Sequence, residues 1–161
     1  MEAFQKMPDA DLYIIGNLRN PNEQRFWQWA EPILTKSANL HALGQFDLSS
    51  QVFDDIANQC VGVVYASAAE GGPGSIARVL HNGLIPIVTP TSFVRAETLG
   101  YQIEGRTDHE LTASAIRQVR TVMETSEREL KERSNAVREF ALRYHTRPAF
   151  LESFSELIQQ L

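Results

Sequence analysis

Apolar positions along this chain fall into two rhythms. Short apolar runs occur at Asp11–Gly16, Leu40–Leu43, Val61–Tyr65 and Ile85–Val88, the last two dense in β-branched residues, the composition of strands covered on both faces. Between and after them, apolar residues recur three and four positions apart, the spacing of one helix face. Met1–Met7 reads as the tail of a helix leading into the first strand, which Gly16-Asn17 closes in a turn. Pro21-Asn22-Glu23 opens a helix to about Lys36, where Phe26, Trp27 and Trp29 are expected to pack and Pro32 to kink or restart the helix. Gly44 turns the chain out of the second strand, and Asp47 or Ser49-Ser50 caps a helix to about Asn58 with Val52, Phe53 and Ile56 inward. Thr91–Thr98 is a polar connection with room for a short helix, and Tyr101–Ile103 is a weak last strand. Thr107-Asp108 caps a helix whose stripe is Leu111, Ala115, Ile116, Val119 and Val122. A charged amphipathic helix follows over Ser126–Tyr144, and Arg147-Pro148 opens a final one carrying Phe150, Leu151, Phe154, Leu157 and Ile158.

Strands alternating with helices predict an α/β fold: a Rossmann-like parallel sheet with helices on both faces, in one domain spanning residues 1–161. Right-handed crossovers suggest the strand order 2-1-3-4-5. The switch point then lies between the strand ending at Gly16 and the strand ending at Ala66, and ligands bind outside the carboxyl ends of strands at such a point.

The chemistry concentrates in Val61–Pro90 (VGVVYASAAEGGPGSIARVLHNGLIPIVTP). A buried strand leads through the loop Glu70-Gly71-Gly72-Pro73-Gly74-Ser75 into a helix over Ile76–Asn82, with Ile76, Val79 and Leu80 inward and Gly83 as its C-terminal cap. A second buried strand returns at Ile85. Free amides and the helix dipole make such a loop an anion site. Glu70 suits that site as an acceptor for the hydroxyls of a ligand whose other end carries phosphate. Taken alone, Glu70 has a second reading, a helix-start carboxylate stabilised by the dipole.

Charge and composition narrow the partners. The 161 residues carry a net charge of −5, against the basic face that nucleic acid or an anionic membrane requires. No apolar run approaches the roughly 18 residues of a membrane span, no signal peptide opens the chain, and the single Cys60 fits a reducing cytoplasm. His41, His81, His109 and His145 lack ligand spacing, so no metal is expected. Ala66-Ser67-Ala68 lacks the acidic phosphoacceptor of a flavodoxin-like signalling receiver.

At these residues the chain resembles the C-terminal, donor-binding domain of GT-B glycosyltransferases, in the retaining family called glycosyltransferase group 1 or family 4. The likeness covers nearly the whole chain: DLYIIGN, NLHALGQF, YHTRPAFLESFSELI and, most specifically, SAAEGGPGSIARVLHNGLIPIVT, similar to the family's EGxG…G-x-P-(I/V)-V motif. The resemblance implies transfer of a sugar, of hexosyltransferase type, from a nucleotide diphosphate donor, with no cofactor. Glu70 matches the glutamate that meets the donor's sugar hydroxyls and is the candidate catalytic residue. Gly71, Gly72, Gly74 and Ser75 match the loop and helix start that hold the diphosphate, and Gly16 and Asn17 flank the same crevice. The family's second glutamate, which grips the ribose, falls at Arg78, a candidate for a phosphate contact or a solvated face.

The family domain also begins with a strand ending in Gly-Arg and followed by Lys, both on the diphosphate. Here that first strand is missing, and Arg19 is the candidate stand-in. The acceptor-binding N-terminal domain is missing too. The resemblance therefore implies a fragment of a larger two-domain enzyme, inactive in isolation, whose remaining strands pair directly or borrow an edge from another copy. A non-catalytic interaction domain of the same fold is the alternative.

Overall fold

The computed structural model describes residues 1–16, 22, 24–45, 47–68, 74–92, 94 and 96–159, with the backbone alone at Ala96 and Glu97. The apolar runs become β1 (Leu12–Ile15), β2 (Leu40–Gly44), β3 (Gly62–Tyr65), β4 (Ile85–Val88) and the two-residue β5 (Tyr101–Gln102). All pairings are parallel, because helices carry the chain back between strands. These helices are α1 (Glu2–Gln5), α2 (Gln24–Lys36), α3 (Gln51–Ala57), α4 (Gly74–His81), α5 (Ala96–Leu99), α6 (Asp108–Glu124), α7 (Glu127–Tyr144) and α8 (Arg147–Gln159). The result is a mixed α/β fold compatible with a Rossmann-like arrangement.

The expected continuous sheet is interrupted. β1 pairs with β2, and β3 with β4, which pairs in turn with β5, in separate two- and three-stranded sheets. The order 2-1-3-4-5 thus holds at three of its neighbours and fails at β1–β3, where no ladder joins the strands. The sheets nonetheless share one core. Leu12 of β1, Leu40 of β2, Val64 of β3 and Ile87 of β4 all join the cluster built on α1 and α6. The alternate positions Val63 and Tyr65 turn to the opposite face, against α4 and α7, as the two-residue period of a strand requires. Phe53 and Ala57 of α3 cover the same face near Leu84.

Between β1 and β3 lies an open-sided cavity of about 560 Å³, reached by Leu12, Tyr13, Ile15, Gly62, Val63 and Val64. Protein interiors hold few voids larger than a water molecule. The burial of the strands records the gap: β4 is fully buried at all four positions, whereas β3 is half-buried at all four.

Local chemistry explains the element ends. Ser50 is the residue that caps α3, its Oγ accepting from Phe53 N at 3.3 Å, while Asp47 accepts from Ser49 N at 2.8 Å in the turn before it. Gly83 stops α4 in the left-handed region (φ 77°), where a side chain would also meet Ser134 Oγ at 2.6 Å. Gly44 (φ 86°) turns the chain out of β2 beside a register shift at Ile14/Ile15. Asn39, buried just before β2, donates from Nδ2 to the carbonyls of Phe4 (3.0 Å), Met7 (3.0 Å) and Ala10 (2.8 Å). One side chain thereby ties the turn after α1, whose Phe4 and Met7 carbonyls also accept from Met7 N and Ala10 N, to the start of β2. Arg120 of α6 pairs with Asp9, fixing the same corner.

Three expectations from the pattern change. Pro32 lies inside α2, which continues through it without a restart. The proline is exposed, so water can serve the carbonyl that loses its donor. Phe26 and Trp29 are 44% and 47% exposed and touch each other rather than a core, which α2 reaches through Ala30, Ile33 and Leu34. Val52 is exposed as well; α3 buries Phe53 and Ala57 instead. The apolar stripe of α8 forms as expected, yet Phe150, Leu151, Phe154, Leu157 and Ile158 are all more than half exposed. No described helix is long and apolar enough to cross a membrane.

Candidate functional site

The carboxyl ends of β3, β4 and β5 open onto a cleft of about 1130 Å³, closed on its far side by the start of α6. Ala66, Ser67 and Ala68 extend from β3, so small side chains leave the strand ends accessible. Thr89 follows β4 and donates from Oγ1 to the Ser67 carbonyl at 2.6 Å; Thr91 Oγ1 donates to the same carbonyl. Ser92, fully buried in the turn Pro90–Ser92, donates from Oγ to Thr89 O at 2.6 Å. These bonds tie the exit of β3 to the exit of β4 and fix one wall.

The opposite wall is the entry to α6. Thr107 Oγ1 accepts from Glu110 N at 3.2 Å, while Glu110 Oε2 accepts from Thr107 N at 3.1 Å and Arg106 N at 2.7 Å. The pattern Thr-x-x-Glu is a capping box. The Arg106 amide, then the Thr107 amide, hold the Glu110 carboxyl below the usual range. Behind it, buried Ser114 accepts from Glu104 N at 3.0 Å. Arg106, His109 and Arg117 bring cationic or titratable groups to the cleft beside Glu104 and Asp108. Among the described residues, no three or more His, Cys, Asp or Glu side chains gather as metal ligands.

The residues predicted for the site divide. Glu70, Gly71, Gly72 and Asn17, with Arg19, lie outside the described residues. Gly16 closes β1; its N–H donates to Gly44 O at 2.9 Å, and an added side chain there would meet nothing within 4 Å. Gly74 and Ser75 are exposed in the first turn of α4, and the space beside Gly74 is also open. The α4 start is therefore accessible to a ligand. Gly16, Gly74, Ser75 and Arg78 are not among the described residues lining the cleft.

Arg78 is part-buried and bonded within the protein. Each of its three nitrogens donates within the protein: Nη2 to Asp54 Oδ1 at 2.6 Å, Nη1 to Asn82 Oδ1 at 2.7 Å, and Nε to Leu48 O at 2.9 Å. Its guanidinium also lies over the Phe53 ring, 5.5 Å from the centroid. Asn82 Nδ2 donates to Asp54 Oδ1 at 2.9 Å. The Asn82 bond, with Arg78's charge reinforcing it, holds the Asp54 carboxyl below its usual range. Arg78 thus joins α4 to α3 and to the loop after β2.

Thr89, Thr91, Arg106, His109 and Arg117 were not singled out from sequence. The threonines lay just past an apolar run, a visible signal; Arg106 and His109 sit at a helix start that read only as capping, and Arg117 lies further along the same helix. Cys60 is half-buried at the entrance to β3, and burial pushes its thiol above the ordinary range, as for an unreactive core cysteine. A scan against protein-family models and a search of curated proteins both return no match to the chain.

Proposed function

We propose that this chain is the donor-binding domain of a glycosyltransferase that moves a sugar from a nucleotide diphosphate to an acceptor hydroxyl. The observation that carries the reading is the β3–α4–β4 unit: two parallel strands with the Glu70 loop joining the carboxyl end of β3 to the accessible start of α4. Amides at Gly74 and Ser75 would face the diphosphate, stabilising the charge that develops as it leaves. Glu70 would accept hydrogen bonds from the sugar hydroxyls and orient the sugar. Gly16 and Asn17 would border the crevice, with Gly71 and Gly72 in the loop. The reaction needs no cofactor in this reading, and transfer would require an acceptor-binding domain in a larger cytoplasmic enzyme.

The position of Arg78 favours a second reading, a domain of the same fold that holds a partner and performs no transfer. Where the resembled family grips the ribose with a carboxylate, this chain spends the residue on joining α3 to α4. A binding titration separates the two. Glu70→Ala is expected to abolish the preference for a nucleotide sugar over the matching nucleoside diphosphate while leaving diphosphate affinity within about twofold, since uncharged hydroxyl contacts carry that preference. A melt lowered without any change in preference would instead mark Glu70 as a helix-start carboxylate and contradict the transfer reading.

A further inference from the structure

The cleft at the carboxyl ends of β3, β4 and β5 takes no part in the proposed donor site, since Gly16, Gly74, Ser75 and Arg78 do not line it. Its groups nonetheless define a ligand. A helix start is a ready anion site, but at α6 that place is taken: Glu110 Oε2 accepts from the Arg106 and Thr107 amides. The other charges of this wall alternate in sign at every second residue, Glu104, Arg106 and Asp108, all exposed, and Arg117 follows further along α6. Two carboxylates thus balance two guanidiniums. Their alternation leaves neither a positive pocket for a phosphate nor separate poles for a zwitterion. On the opposite wall, Thr89 and Thr91 spend their hydroxyl protons on the Ser67 carbonyl. Thr91 is exposed, so its Oγ1 offers lone pairs to a ligand O–H. Between the walls, Ala66, Ala68 and Gly105 are small enough to let a ligand reach both.

We propose that this cleft binds a neutral, polyhydroxylated molecule, a mono- to trisaccharide, through its hydroxyls. A hydroxyl both donates and accepts, and here acceptors (Glu104, Asp108, Thr91) and donors (Arg106, Arg117) interleave across the walls. An apolar molecule would desolvate those charges without return. The cleft, about 1130 Å³, stands just above the roughly 300–1,000 Å³ of most small-molecule sites and admits more than one sugar ring. On the sugar-transfer reading, on which this step alone rests, the bound molecule is the acceptor. Ala68 lies two residues before Glu70 in the chain, a reach of at most about 7 Å, so a hydroxyl in the cleft comes near the sugar that Glu70 would orient. The acceptor oxygen then bonds to the anomeric carbon, the bond from that carbon to the diphosphate oxygen breaks, and the diphosphate leaves with the electron pair and the hydroxyl proton. The donor domain itself thereby supplies part of the acceptor subsite.

The test is an amide titration of the full chain, without nucleotide, using the neutral disaccharides maltose, cellobiose, lactose and sucrose. At least one is expected to give saturable shifts at Thr91, Glu104, Arg106 and His109, with Gly74 and Ser75 unmoved. Glu104→Gln and Arg117→Gln, both at exposed positions, are each expected to weaken that binding roughly tenfold while the thermal melt stays in place. Glucose 6-phosphate and glutamine, an anion and a zwitterion, are expected to bind no more tightly than glucose. Silence of the cleft amides toward all of the disaccharides at tens of millimolar would overturn the proposal. So would tighter binding of glucose 6-phosphate or glutamine than of glucose, or full affinity in both variants. A disaccharide that binds in the cleft while nucleoside diphosphates leave Gly74 and Ser75 still would uphold the saccharide site and overturn its assignment as an acceptor subsite, so the two readings fail separately.

Discussion

Arg78 on α4 and Asp54 on α3 meet at 2.6 Å, each side chain 32% exposed, with Asn82 bonded to both. Two helices that lie on one face of the sheet are thereby locked in register by charge-assisted hydrogen bonds. Such bonds are about twice as strong as neutral ones and are weakened here by partial exposure to solvent.

Arg78→Met is therefore expected to lower the stability of the fold, through the loss of a partly exposed charged bond and the carboxylate left behind. Nucleoside diphosphate affinity is expected to stay unchanged. Denaturant unfolding beside a binding titration checks both, and a selective loss of affinity would return Arg78 to the ligand.

Asn39 closes the end of α1 with three bonds to backbone carbonyls. Asn39→Ala leaves the Phe4 and Met7 carbonyls their backbone donors, Met7 N and Ala10 N, and removes the side-chain tie between this corner and β2, so it is expected to cost about 1 kcal/mol. Amides of α1 should then exchange faster than those of α7, which Asn39 does not touch. Equal exchange in both helices would show that α1 is held by packing alone.

His145, at the end of α7, has its pKa lowered, first by burial and then by the charge of His81, whose Nε2 donates to the His145 carbonyl at 2.9 Å. The unfolded chain therefore binds this proton more readily than the folded one. The stabilisation is complete above the ordinary imidazole value of 6.5 and is lost as the pH falls through the lowered folded value. Thermal melts should drop between neutral pH and about pH 5, and His145→Gln should flatten that slope. An unaltered slope would place the sensitivity in carboxylates such as Asp9, which Arg120 holds below its usual range.

What the sequence made legible was local. The period of apolar residues located every strand and long helix, and Gly83, Ser50 and Thr107 marked ends because cap chemistry acts over three or four residues. Lateral pairing is different in kind. Nothing in Leu12–Ile15 or Gly62–Tyr65 says whether the two strands touch, and the interrupted sheet emerged only in three dimensions. Arg78–Asn82 lay at helical spacing and could have been read; Arg78–Asp54 spans two helices and could not. Phe26 and Trp29 looked like core because they are aromatic, but exposure depends on what the neighbouring elements cover. Of the predicted site, the parallel unit and the helix start are in place, while Glu70, Gly71, Gly72 and Asn17 lie outside the described residues.

The most direct measurement is the amide spectrum of the chain titrated with a panel of nucleoside diphosphates. Donor binding at the start of α4 predicts saturable shifts at Gly74 and Ser75, with those of β5 and α8 unmoved. Spectra in which Gly74 and Ser75 stay still at millimolar concentrations of every nucleotide would contradict it.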